Sequence, residues 1–212
     1  MKCGVLVLLP VFVFFVVGVS PAYARDGRGA AVEGQQGVHT LQVPPGPPRR
    51  NPSPPCFDDA NRYVDCGNGT VTDTVTGLVW LKDASCLGSA PWAAANNLAA
   101  ALAEGDCGLT DGSVRGDWRL PTMLEWAATV AQAVRLGCVF ASSPSLTNDP
   151  GTACLSAGPS AFDLGASDIN FWSSTADEVH PFFALNAYLV DGIVSYASFK
   201  TAALRVWPVR AH

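Results

Sequence analysis

The stretch Asp117-Trp118-Arg119-Leu120-Pro121-Thr122-Met123-Leu124-Glu125 decides how this chain is read. Thr122 and Glu125 stand at the spacing of a capping box, in which hydroxyl and carboxylate each satisfy a backbone N–H left open at a helix start. The helix they open should run to about Leu136, where Gly137 is placed to end it in the left-handed conformation. Working back from that point, a first helix is expected from Pro91 to Glu104, with proline in its first turn and Gly105 closing it. Trp92, Ala95, Leu98, Ala99 and Leu102 recur along it at helical spacing and are expected to face the core.

Strands flank this helical centre. Arg62–Asp65, Thr70–Asp73 and Leu78–Lys82 are short candidates, separated by Cys66-Gly67-Asn68-Gly69 and Thr74-Val75-Thr76-Gly77, both rich in turn formers. Beyond the second helix, Ala141–Ile169 is rich in Ser, Gly, Pro and Asp and holds few periodic apolar residues. A loop of that length inside a domain is usually functional or disordered. Strands return at Asn170–Ser174, Phe182–Leu189, Ile193–Phe199 and Leu204–Val209, with Val190-Asp191-Gly192 as a hairpin turn. The expected class is mixed α+β.

The N-terminus reads as a targeting segment. Lys2 precedes an apolar run from Val5 to Val19, and Ala22-Tyr23-Ala24 places small residues where a signal peptidase cuts. The run is shorter than the roughly 20 residues a bilayer span needs. Residues 1–24 are therefore expected to be a cleaved signal peptide, leaving a secreted, periplasmic or cell-envelope chain with no membrane insertion. Cleavage removes Cys3 and leaves Cys56, Cys66, Cys86, Cys107, Cys138 and Cys154. An even set in an exported chain reads as a disulfide framework, with 15 connectivities open. Pairing of sequence neighbours is expected: Cys56 with Cys66, Cys86 with Cys107, Cys138 with Cys154. Each such loop is worth on the order of 3 kcal/mol in the chain-entropy model. No close CxxC pair supports a zinc site.

Residues 25–55 mix Gly, Gln and Arg and end in PPGPPRRNPSPP. This is a Pro/Gly-rich linker by composition, too poor in apolar residues to build a core. It could act as a spacer or as a proline motif for a partner. Residues 56–212 form the domain, with 8 basic and 16 acidic residues and a net charge of −8. The whole chain has 212 residues, 49% of them apolar, and a formal charge of −5. That apolar share excludes global disorder. The acidity excludes a general nucleic-acid binder, which needs cations to displace counterions.

Several segments together resemble one bacterial family. They are Gly67-Asn68-Gly69-Thr70-Val71-Thr72-Asp73 with Thr76-Gly77-Leu78-Val79-Trp80, then Asp117-Trp118-Arg119-Leu120-Pro121-Thr122 with Glu125. Phe171-Trp172-Ser173-Ser174-Thr175 and Val206-Trp207-Pro208-Val209-Arg210 complete the set. The pattern is similar to the C-terminal domain of the Legionella collagen-like adhesin, from about Tyr63 to Arg210. The resemblance implies a C-type-lectin-like fold, with two helices packed on small antiparallel sheets and a long, variable loop region. It also implies binding or adhesion and no catalysis. That adhesin carries a collagen-like stalk, whereas this tail lacks a Gly-x-y period. Its sulfated-polysaccharide ligand would meet a domain of net −8 whose eight cations are scattered.

Candidate residues follow from this reading. The six tryptophans, Trp80, Trp92, Trp118, Trp126, Trp172 and Trp207, are expected mainly to pack the core. Arg119 and Arg210, flanked by apolar residues, should pair with Asp73, Asp117 or Glu125. Asp163, Asp168 and Asn170 in or beside the long loop, and Asn186, Tyr188 and Tyr196 on the hairpin, are the candidate ligand-binding set. Tyr offers a large contact area at low entropic cost. Asn148, Asp149, Asp163 and Asp168 could supply oxygens to Ca²⁺, but no DxDxDG spacing is present and solvated loop acids are the competing reading. No cofactor is otherwise expected. His180 is the domain's one histidine away from the C-terminus, and no Gly-x-Ser-x-Gly surrounds any serine.

The expectation is an exported, disulfide-stapled, non-catalytic binding module presenting Ala141–Ile169 and the hairpin Phe182–Phe199. Its partner would be a glycan, a cell-surface protein or another copy of itself. Two rivals stand beside it: an envelope-assembly part that binds through its proline-rich tail, and an enzyme of the formylglycine-generating type, which shares the broad fold but needs reactive cysteines. Thiol titration of the denatured exported chain separates the last of these. Zero free thiols are expected, and two would restore the enzyme reading.

Overall fold

Thr122 caps its helix as the sequence indicates: its hydroxyl accepts from Glu125 N at 3.2 Å, and Glu125 Oε2 accepts from Thr122 N at 2.7 Å. In the computed structural model, which describes residues 52–165 and 169–211, that helix is α2, Met123–Arg135. Residues 1–51, 166–168 and His212 lie outside the described set, and with them the targeting segment, most of the tail, and Asp168. Arg135 in the last turn complements the helix dipole, and Gly137 follows with φ 77°. The first helix, α1, is shorter than the sequence suggests, Trp92–Ala101 rather than Pro91–Glu104. Leu102 turns extended, and Glu104 N is drawn to Ser113 O. Ala95, Ala99 and Leu102 are buried. Leu98, expected in the core, is 39% exposed, because a short helix with an alanine stripe buries only a narrow face.

Two sheets frame these helices. The first contains β1 (Tyr63–Asp65), β2 (Thr70–Asp73), β3 (Leu78–Leu81) and the C-terminal β9 (Val209–Arg210), ordered β1-β2-β3-β9 and antiparallel throughout. The tight approach of Gly69 to Gly108 explains that glycine. A Cβ there would stand 2.6 Å from Gly108 O, and φ is +84°. The second sheet runs β4-β8-β5-β6-β7, from β4 (Ser89–Ala90), β8 (Leu204–Arg205), β5 (Asn170–Ala176), β6 (Phe183–Tyr188) and β7 (Ile193–Phe199). One pairing departs from the antiparallel expectation: β5 and β8 run parallel, through Phe171 and Arg205. The single strand expected over Leu204–Val209 is split. Trp207 turns into the core and Pro208 has no N–H to give a ladder, so β8 and β9 belong to different sheets.

Successive strand residues point to opposite faces, and in β5 both Phe171 and Trp172 are fully buried. The Phe171 side joins the main core, where Trp80 meets Trp207 at 4.7 Å and Trp126 of α2 at 5.1 Å. The Trp172 side joins a smaller core with Ala95, Ala99, Leu120, Ala184 and Val206. Of the six tryptophans only Trp92 is partly exposed. The stretch after α2 is not the open presenting loop expected. It contains 3-10 turns at Phe140–Ser142 and Leu155–Ala157, buries Ser145 to Asn148, and sends Phe162 into the main core.

Three disulfides join sequence neighbours: Cys56–Cys66, Cys86–Cys107 and Cys138–Cys154. Two buried ion pairs add to them. Arg62 grips Asp73 with Nε and Nη2 at 3.0 and 2.8 Å, and Nη2 also donates to Thr129 O of α2. Arg210 pairs with Asp111 at 3.2 Å, a partner outside the three carboxylates expected for it. Arg210 Nη2 further donates to Ser53 O. The folded unit thus begins before Cys56. No described helix is long and apolar enough to cross a membrane.

Trp80→Ala should cost about 3–5 kcal/mol, the usual range for a large buried aromatic. Urea unfolding checks this, and an unmoved midpoint would refute the central role of the indole. Glu125 gives a pH test. Burial pushes its carboxyl up, but Arg119 and the Thr122 N–H outweigh that and hold it below its ordinary 4.5. A depressed carboxylate stabilises the folded state above its unfolded pKa and loses that contribution as pH falls through the folded value. Wild type should therefore lose thermal stability below pH 4.5 more steeply than Glu125→Gln.

Candidate functional site

The β6–β7 hairpin positions the site. In β5–β6, Asn170 stands opposite Tyr188 and Trp172 opposite Asn186; in β6–β7, Asn186 stands opposite Tyr196 and Ala184 opposite Ser198. Cross-strand partners share a face, so Asn170, Asn186, Tyr188, Tyr196 and Ser198 project to the Trp172 side, away from α2. Between Asn186 and Tyr188 the register shifts, with β7 spending three residues where β6 spends two. This bulge lets Val194 pack on the main core while Tyr196 remains on the opposite face. Asp191 shapes the turn: its Oδ1 accepts from Ile193 N at 2.9 Å. Gly192 follows at φ +74°, where any Cβ would strike the Val134 side chain.

These residues line an open groove of about 340 Å³, together with Ala197. Its polar groups are already joined. Ser198 Oγ donates to Asn186 Oδ1 at 2.9 Å, and Asn186 Nδ2 donates to Asn170 Oδ1 at 2.6 Å. Asn186 is only 1% exposed, so it holds its neighbours in place instead of forming the outer contact surface. Tyr188 and Tyr196 meet edge to face, 6.0 Å apart and 76° inclined. The Tyr196 hydroxyl donates to Asp191 Oδ2 at 2.8 Å, and that carboxylate raises the phenol above its ordinary value. Tyr196, 42% exposed, offers the open ring surface. Among the described residues no cation lines the groove.

The remaining candidates do not join it. Asp163 borders a different hollow beside Lys82 and accepts from Gly165 N, and Asp168 lies outside the described residues. The proposed calcium donors are dispersed among backbone tasks: Asn148 Oδ1 accepts from Thr152 and Ala153 N, and Asp149 Oδ1 accepts from Ala161 N. Burial raises the Asp149 carboxyl, outweighing the Ala161 N–H, and nearby Asp65 adds to the rise. Among the described residues no three His, Cys, Asp or Glu gather as a metal site. His180 is exposed and pairs with Asp177 at 3.2 Å. Arg119 takes Glu125 through both terminal nitrogens at 2.7 and 2.6 Å. Sequence reading missed Ser198, Ala197 and the Asp191 acceptor. The alternation of Asn186, Tyr188, Tyr196 and Ser198 along the hairpin was the available signal, incomplete because strand period alone does not say which face is covered.

The family comparison gives this disulfide-stapled α+β scaffold and its uncharged groove a place. The chain belongs to the family of the Lcl C-terminal domain, whose model matches residues 69–210. No curated protein and no solved structure matches it.

Proposed function

We propose that this is a non-catalytic, exported binding module of C-type-lectin-like fold, and that the hairpin groove takes an uncharged glycan. The convergence of Asn170, Asn186, Tyr188 and Tyr196 on one open groove carries the reading. Amides and hydroxyls donate and accept, as sugar hydroxyls do. An exposed tyrosine ring offers an apolar platform for the C–H face of a sugar, and rings fixed by their neighbours lose little entropy on contact. A groove with no cation among its described lining residues, on a domain of net −8, opposes a sulfated or otherwise anionic ligand. Three disulfides accord with an oxidising compartment. The module is proposed to work without a metal.

The test is binding of the exported chain to neutral and sulfated oligosaccharide panels, before and after chelation. Neutral ligands should bind equally well with and without chelator. Tyr196→Ala should weaken them at least tenfold, about 1.4 kcal/mol, with thermal stability retained. Exclusive binding of sulfated glycans, or a Tyr196→Ala variant that binds normally, sinks the reading.

A further inference from the structure

The three disulfides differ in how open they are to an incoming thiol. Cys138, just past α2, is fully buried. Cys56 and Cys66 set their sulfurs 3.8 and 3.4 Å from Thr72 Oγ1 of β2, a residue with no exposed surface. Cys86 alone among the six bridged cysteines is exposed, in the turn between β3 and β4. Its partner Cys107 is half-buried and borders two hollows. One, of about 290 Å³, lies beside Asp65 and Asp83; the other, of about 450 Å³, lies against Leu98 and Ala101 of α1. Cys107 also has φ +50°, in the left-handed region that a side chain makes unfavourable.

The turns that this bridge joins have other ties. Gly105 N donates to Leu109 O, Thr110 N to Asn68 O and Glu104 N to Ser113 O, and Asp111 is paired with Arg210. We propose that Cys86–Cys107 is a site of thiol–disulfide exchange with small-molecule thiols, opening while the other two bridges stay closed. The incoming thiolate bonds to the exposed Cys86 sulfur, the Cys86–Cys107 bond breaks, and its electron pair leaves on Cys107. A second thiol then displaces Cys86 from the mixed disulfide, so two thiols are oxidised to one disulfide as the bridge takes up two electrons and two protons. Charge on the leaving side favours this direction. Arg115 lines the larger hollow with Cys107 and has no carboxylate partner among the described residues, and a nearby cation stabilises a thiolate. Asp106, the acid of that hollow, turns its Oδ2 to Ala103 N. Leu87, next to Cys86, and Gly105 and Asp106, next to Cys107, line the same hollow. The bridge thus fixes the spacing of two of its walls, and opening it lets an apolar hollow widen without disturbing the hairpin groove.

Stepwise reduction of the oxidised chain tests this. The chain is exposed to 2-mercaptoethanol at mildly alkaline pH, quenched at intervals with N-ethylmaleimide and mapped by peptide mass spectrometry. Near-ultraviolet circular dichroism follows the buried tryptophans over the same period. Cys86 and Cys107 should open roughly tenfold faster than the other four cysteines, or more, since access governs the rate. Early samples should carry the mercaptoethanol adduct on Cys86 and the maleimide on Cys107, with the tryptophan signal unchanged. Earlier opening of Cys56–Cys66 or Cys138–Cys154 overturns the proposal. So does opening of all three bridges in step with loss of the tryptophan signal, which would make reduction a consequence of unfolding. An adduct on Cys107 overturns the direction of attack.

Discussion

The indole of Trp80 is the point on which the rest of the molecule depends. From the middle of β3 it reaches Trp207 at 4.7 Å, Trp126 at 5.1 Å and Phe162 at 6.4 Å. Those rings come from the segment between the sheets, from α2 and from the long loop, so one contact set fixes the relative position of four chain segments. Trp207 and Trp126 place their indole N–H groups on Leu81 O and Trp172 O, which orients the rings as well as burying them. Cores of this kind are close-packed, and a change of volume at the centre is transmitted outward. The split of the last strand and the inward course of the loop both accompany the entry of Trp207 and Phe162 into this core.

Around that core, two buried guanidinium–carboxylate pairs act as ties between distant segments. Arg62 joins β1 to Asp73 at the end of β2 and to the α2 backbone; Arg210 joins β9 to Asp111 and to Ser53 ahead of the first disulfide. Desolvation offsets much of what such pairs gain, whereas loss of one partner strands a charge and costs about 3–5 kcal/mol. Breaking either pair therefore costs more than the intact pair contributes.

How far the sequence could be read depended on how local the determining interactions were. The capping box at Thr122 and Glu125, the end of α2 at Gly137, and the hairpin turn at Asp191-Gly192 involve residues a few positions apart, and their types and spacing announce them. The short disulfide loops are local in the same sense. The Asp111 partner of Arg210 is 99 residues away, and nothing near either residue signals the pairing. Leu98 fits a helical stripe but is exposed, because helix period does not tell how wide the opposing surface is. The hairpin residues of the site were legible as a set, yet Asn186 proved a buried linker, since alternation gives the face and not the depth. The loop failed for the opposite reason: its polar composition hid Phe162 and Leu146, two core residues in an otherwise unpatterned run.

One residue connects the two surfaces of the hairpin. Asp191 holds Ile193 N with one carboxylate oxygen and the Tyr196 hydroxyl with the other. The first bond shapes the start of the edge strand, and the second sets the angle at which Tyr196 stands in the groove. Loss of the Asp191 carboxylate would therefore release both the turn and the ring. The shape of the turn and the stance of Tyr196 are thus tied through one carboxylate, so that a change at either is felt at the other. A hairpin is suited to such coupling, because a side chain in its turn reaches the backbone at the start of one strand and also a side chain on the face that strand presents.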